Sequence, residues 1–240
     1  MKTSFLSFAM ALPLCAAVLF GQDLRTWTSA DDASKQFEGT LVETKGDQVT
    51  IKHSNGKLMT FAQTKLSADD QKFIASQAEA KVKAEEAQTS PMARALKGRT
   101  LALDGKRLKK NDFLATKSPE YYLLYWGASW CGPCQQGAPS LVELYNEKLA
   151  KATNIELIHI SSDQSEDGML SFVSDHQMKF PVVSFKDRDR LNPVKSLFPS
   201  GIPSYKLVDA KGELIAEGQA AKDKAAEIAA GKSEIAAQSR

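Results

Sequence analysis

The sequence predicts a mixed α/β domain, a central sheet flanked by helices, preceded by a small all-β domain. Three observations carry this expectation. Residues 121–126 are aromatic or branched and free of charge, as a strand buried on both faces should be. Beyond Cys134 the period changes: Leu141, Leu144, Tyr145 and Leu149 fall at helical spacing, with Glu143, Glu147 and Lys148 between them. Upstream, residues 36–44 and 48–52 alternate apolar and polar side chains, the pattern of half-buried strands.

The first 21 residues stand apart. Lys2 supplies a positive charge, and 5–20 is apolar apart from Ser7, with Pro13 inside it. This is too short and too interrupted for a membrane span and reads as a secretory signal peptide, cleaved after Gly21 or after Ala17. Cys15 would suit a lipoprotein anchor, but Leu14 before it fits badly. Removal of the leader takes Cys15 with it and leaves Cys131 and Cys134 as the only cysteines. Export, periplasmic or secreted, puts that pair in an oxidising compartment. The net charge of +2 gives no reason to expect nucleic acid or an anionic membrane as partner.

Residues 22–76 form the β domain. Its strands are joined at 45–47 and at Asn55-Gly56, a strong hairpin signal before 57–61. Ser67 then caps a short helix, with Asp70 at its third position. Trp27 reads as core, or as a lid on it, with a ligand platform as the alternative. Residues 77–97 are rich in Ala, Glu and Lys and read as a partly helical linker, broken at Ser90-Pro91.

Residues 98–220 form the α/β domain. A hairpin turning at Asp104-Gly105 leads it, then the 121–126 strand and the helix after Cys134. A second buried strand, 155–160, should run parallel to the first. A helix over 167–176, an extended stretch at 180–184, and a hairpin of 205–208 with 213–216 complete it. Residues 221–240 read as an Ala-rich tail, helical or disordered, anchored only by Ile228 and Ile235.

The chemistry centres on Trp130-Cys131-Gly132-Pro133-Cys134, set where a strand ends and a helix begins. Pro133 is tolerated in a first helical turn, whereas Pro139 comes late enough to kink the helix. Unpaired N–H groups at a helix start stabilise an anion, so a Cys131 thiolate is favoured. Cys134, one turn in, can attack the mixed disulfide that Cys131 forms. The competing readings are a passive disulfide staple and half of a zinc site. Zinc lacks a second CxxC or a close His pair, and Gln135 breaks the haem-attachment pattern.

These residues resemble the thioredoxin superfamily. The pentapeptide 130–134 is that family's active-site motif as it stands, and Pro139 matches its kinking proline. Residues 126–130 and 158–163 look closer to tryparedoxins, nucleoredoxins and periplasmic thiol–disulfide oxidoreductases. The resemblance spans about 101–218. It implies a thioredoxin-like fold, protein thiol or disulfide substrates and a membrane thiol electron donor. No cofactor is implied beyond the redox-active Cys131–Cys134 disulfide, and no metal. It also implies a cis peptide bond between Ile202 and Pro203, beside the cysteines, offering its backbone to substrate.

Tyr125 stands where thioredoxins carry a buried acid, His159 replaces the partner lysine, and Gly137 stands where many periplasmic relatives place Glu. Tyr125 could hydrogen-bond a sulfur or a water, and His159 could take a proton. The alternative makes them a core aromatic and a satisfied strand histidine. The Gly-Pro between the cysteines resembles reducing members, so a reductase is expected, with an oxidase or isomerase as the alternative. The β domain, through Trp27, Asn55-Gly56 and 66–74, resembles the Sla-type homology domain, a small SH3-like barrel that would bind an unidentified peptide or protein.

Overall fold

The structure, a computed structural model, describes residues 24–231. The leader at 1–21 and the chain end at 232–240, with Ile235, lie outside the described residues. The chain divides into two compact units between Ala78 and Glu79.

In the first unit β1 (Arg25–Thr28), β2 (Gln36–Lys45), β3 (Gln48–His53) and β4 (Leu58–Ala62) form an antiparallel meander in sequence order. Period-two patterning turns Val49 and Ile51 inward against Trp27 and Leu66. Trp27 is core, and its indole N–H donates to the Gly39 carbonyl at 2.9 Å. β1 and β4 do not pair, and past β1 the chain meets the segment after β4 only at an isolated Ser29–Leu66 bridge, with the Ala30 N–H donating to the Lys65 carbonyl and the Ser67 N–H to the Thr28 carbonyl, each at 2.9 Å. The closed SH3-like barrel expected from the sequence is not shown among the described residues. The start of a helix, α1 (Ala68–Thr89), covers the apolar face instead, through Phe73 and Ile74. Ser67 caps it as expected, its hydroxyl accepting from the Asp70 N–H at 3.3 Å. Asp70 is buried, which works to raise its pKa. Bonds from the Thr28 N–H, Arg25 and Ser67 outweigh that and hold it below the usual carboxylate range.

The expected short helix is thus 22 residues long and runs through the linker stretch. Beyond Thr89 the linker expectation fails in a second way. Ser90 caps α2 (Pro91–Leu96), which buries Met92, Ala93 and Leu96 in the second unit's core. The signal was a local apolar triplet too short to show a period. A fragment beginning at Glu79, which keeps buried Ala87 and the Gln88 bonds to Leu114 and Ser118, should therefore keep the stability of this unit. One beginning at Lys97 should lose roughly 3–6 kcal/mol, from about 1.5–3 for each of Met92 and Leu96. Denaturant titration of the two fragments checks this; equal midpoints would refute it.

The second unit continues with β5 (Thr100–Asp104), β6 (Arg107–Lys110), β7 (Tyr121–Gly127), α3 (Gly132–Glu147), β8 (Ile155–Ser161) and α4 (Glu166–Asp175). It ends with β9 (Val182–Val183), β10 (Ser204–Asp209), β11 (Leu214–Glu217) and α5 (Gly218–Ala229). Seven strands form one mixed sheet in the order β11-β10-β7-β8-β9-β5-β6. β7 and β8 are central, parallel and buried along nearly their whole length. One face carries the cluster with Leu123, Tyr125, Leu157, Phe172 and both cysteines. The other carries Tyr122, Leu124, Trp126 and Ile158. α3 runs through Pro139 as a single element. The last helix departs from expectation: Ala221, Ala225 and Ile228 are buried in the cysteine-bearing cluster, so α5 is part of the domain and not a tail. Alanines three or four apart let a helix approach closely, a signal that hydrophobicity alone understates. Among the described residues no helix is long and apolar enough to cross a membrane.

Candidate active site

The strand–loop–helix passage from β7 to α3 holds the cysteines. Cys131 is the N-cap of α3, with extended backbone at φ −88° and ψ 106°, and its sulfur accepts the Cys134 N–H at 3.2 Å. Gly132 and Pro133 fill the first turn, where a missing N–H costs nothing. The cysteines are joined in a disulfide with Cα atoms 5.2 Å apart. Cys131 is 5% exposed and Cys134 0%, so attack from outside falls on Cys131. Trp130, 61% exposed, stands beside it as an apolar surface.

The Ile202–Pro203 bond is cis, directly before β10. The Ile202 carbonyl oxygen lies 3.7 Å from the Cys131 sulfur. In the disulfide that sulfur has no proton to give; as a thiol it could donate to this oxygen. The pairing of β10 with β7 sets Tyr205 opposite Tyr125, and β8 sets His159 on its other side. The three rings stack, at 5.0 Å for Tyr205 on Tyr125 and 5.1 Å for Tyr125 on His159, in the cluster that holds the cysteines.

Tyr125 and His159 are fully buried. Burial pushes the Tyr125 phenol far above its usual range, with Tyr205 and Asp163 adding to the effect. Its hydroxyl tucks under Gly127, where any Cβ would overlap it. The His159 Nδ1 lies 3.2 Å from the Tyr125 carbonyl oxygen. A carbonyl only accepts, so Nδ1 carries the hydrogen and Nε2 is a bare lone pair. Among the described residues, the Tyr125 hydroxyl and His159 Nε2 both lack a hydrogen-bond partner. The site therefore offers a buried donor and a buried acceptor but no buried carboxylate at these two positions. Near Gly137 the Tyr205 hydroxyl comes within 3.5 Å of where a Cβ would stand, so it occupies space that a larger residue 137 would share.

Burial lowers the His159 pKa to about 4, against weaker raising by the Tyr125 carbonyl and Asp163. Above the unfolded value near 6.5 neither state binds the proton. Below it the unfolded chain takes one up and the folded chain does not, so stability falls as pH falls. Between pH 6.5 and 4 the loss should reach about 3 kcal/mol. Denaturant unfolding across that range measures it, and His159→Asn should flatten the slope; an unchanged slope in the variant would count against this assignment.

Sequence reasoning missed the brace around the motif. Asp163, buried after β8, accepts from the Ser129 N–H at 2.9 Å and its hydroxyl at 2.6 Å, and from Ser161 at 2.9 Å. Arg188 donates to the Asp163 and Ser161 carbonyls. Gln135 donates to the Ser129 carbonyl at 2.6 Å while its own oxygen takes a 2.5 Å contact from His176. These bonds hold Ser129, two residues before Cys131, through its N–H, its hydroxyl and its carbonyl. The Ser161-Ser162-Asp163 triplet was visible in the sequence, but polar residues after a strand read equally well as a turn.

A family profile described as thioredoxin-like matches residues 119–214. Over 115 residues the chain is 35% identical to probable nucleoredoxin 1 of Arabidopsis thaliana, covering 48% of this chain and 19% of that protein. It is 30% identical over 115 residues to the thiol-disulfide oxidoreductase ResA of Bacillus thuringiensis subsp. konkukian, covering 48% of this chain and 61% of that one. Tryparedoxin from Trypanosoma brucei aligns in structure at a TM-score of 0.45 and 23% identity, over 61% of this chain and 96% of that one. The chain thus covers less than two thirds of the length of either curated relative. The likeness is to a thioredoxin-like family over residues 119–214, and that profile does not reach the N-terminal sheet.

Proposed function

We propose that the protein is an exported thiol–disulfide oxidoreductase that reduces protein disulfides with the Cys131/Cys134 dithiol. The observation that carries this reading is the asymmetry of the pair: Cys131 caps a helix beside exposed Trp130 and the Ile202 carbonyl and keeps a sliver of exposure, whereas Cys134 has none. The Cys131 thiolate attacks one sulfur of a substrate disulfide, forming a mixed disulfide and releasing the other sulfur as a thiolate, which is protonated. The Cys134 thiolate then attacks the Cys131 sulfur, forming the intramolecular disulfide and releasing the second substrate thiol. Two electrons pass to the substrate. A dithiol donor at the membrane restores the pair, and the redox-active disulfide is the only cofactor required.

The extended substrate segment lies along Ile202 and Pro203, with Trp130 packing over it. Tyr125 and His159 act as uncharged polar support beneath the sulfurs. Export is supported by the Lys2-led apolar leader and by the single cysteine pair left after its removal. The open sheet at the N-terminus serves as a docking module for a peptide or protein. Reduction of insulin by dithiothreitol, with and without catalytic amounts of the purified protein, tests the activity. Acceleration that depends on both cysteines is expected; no acceleration would reject catalysis and leave a static disulfide.

A further inference from the structure

The net charge of +2 conceals a concentration of cations away from the cysteines. Residues 97–110 hold six, Lys97, Arg99, Lys106, Arg107, Lys109 and Lys110, against one acid, Asp104, which Lys109 already pairs. The fold sets part of this run against the turn after β9, and between them lies a cleft of about 570 Å³. That is the size of a small-molecule site rather than of a flat protein contact. Five cations line it, Lys97, Arg99, Lys110, Lys186 and Arg190, against two carboxylates, Glu166 and Asp187.

The carboxylates do not neutralise the cleft. Asp187 is committed to Arg190 at 3.1 Å and to the Ser184 hydroxyl at 2.6 Å, with Arg99 at 3.9 Å. Glu166 sits in the first turn of α4, where the helix dipole favours its charge. Lys97 and Lys110 form no ion pair among the described residues, and Lys186 forms none within 4 Å, acting on Asp187 only at longer range and behind Arg190. Like charges gathered without a counter-charge cost free energy, and a bound anion would relieve that cost. The rest of the lining is not uniformly polar, because Leu101 and Phe185 also contribute to it. We infer that this cleft binds a small anion carried on an apolar or aromatic body, with the charge among Lys97, Lys110 and Lys186 and the body against Leu101 and Phe185.

The proposal is independent of disulfide exchange, and its test does not read that activity. Calorimetric titration of the purified protein at about 0.15 M salt would use phenyl phosphate, inorganic phosphate and phenol as separate probes, so that screening removes diffuse attraction. Phenyl phosphate should bind saturably at one site, about tenfold more tightly than either fragment, because only it engages both parts of the cleft. The double variant Lys97→Gln/Lys186→Gln should weaken it about tenfold, while Lys148→Gln, an exposed lysine outside the lining, should leave it unchanged. Lys97 and Lys186 are exposed, and an unchanged thermal midpoint would show that the variant folds. Non-saturating binding, equal affinity for phosphate and phenyl phosphate, equal affinity for phenol, or a double variant that binds as the parent does would each overturn the assignment.

Discussion

Cys131→Ser should reduce disulfide exchange to the uncatalysed level, a loss on the order of a thousandfold or more, as expected when a nucleophile is removed. Cys134→Ser should behave differently. The Cys131 thiol, the more accessible of the pair, remains competent for the first attack, but nothing can resolve the product, so mixed disulfides with substrate should accumulate. The expectation rests on the placement of the two sulfurs. Cys131 caps α3 and receives the Cys134 N–H, whereas Cys134 is wholly buried under the first turn. A hydroxyl at 131 is a far weaker nucleophile than a thiolate near neutral pH. Non-reducing electrophoresis after acid quenching reads both outcomes in one experiment. Trapping of equal amounts by the two single variants would reject the division of labour.

Much of the second unit was legible because its signals are strong and local. The charge-free run at β7, the change of period after Cys134 and the Asp104-Gly105 turn each have one good structural reading. What escaped the sequence lies where a residue's role depends on a distant partner. Met92 and Leu96 look like isolated apolar residues at the end of a charged stretch, and only packing against Tyr122 and Leu124 makes them core. Ala221 and Ala225 gain their meaning from close approach to β10, which composition cannot express. The N-terminal strands were readable one by one, but whether a meander closes depends on the pairing of its first and last strands. Here the α1 residues Phe73 and Ile74 take the apolar face, and beyond β4 only the isolated Ser29–Leu66 bridge joins the two ends of the meander. At the site, the cysteines and Pro203 were nameable in advance. Asp163 was not, since its value comes from Ser129, 34 residues earlier in the chain.

The reduction potential of the Cys131–Cys134 couple should lie near thioredoxin's value of about −270 mV, far from the roughly −120 mV of the most oxidising members of the superfamily. The potential rises with whatever stabilises the reduced form, and chiefly with stabilisation of the exposed thiolate. Cys131 accepts a single backbone N–H, from Cys134 at 3.2 Å. Gly132 and Pro133 between the cysteines carry no cation. The Ile202 carbonyl oxygen also faces the sulfur, from 3.7 Å. That contact favours a protonated thiol, which can donate to it, over a thiolate, which it repels. Buried, neutral His159 supplies no compensating positive charge. The separation of about 150 mV between the two regimes corresponds to roughly 7 kcal/mol for two electrons. Equilibration of the protein with glutathione buffers, read by the oxidised fraction, would measure the potential. A value above about −150 mV would replace the reductase with an oxidase, and would require a stabilising contact to the Cys131 thiolate that forms only on reduction.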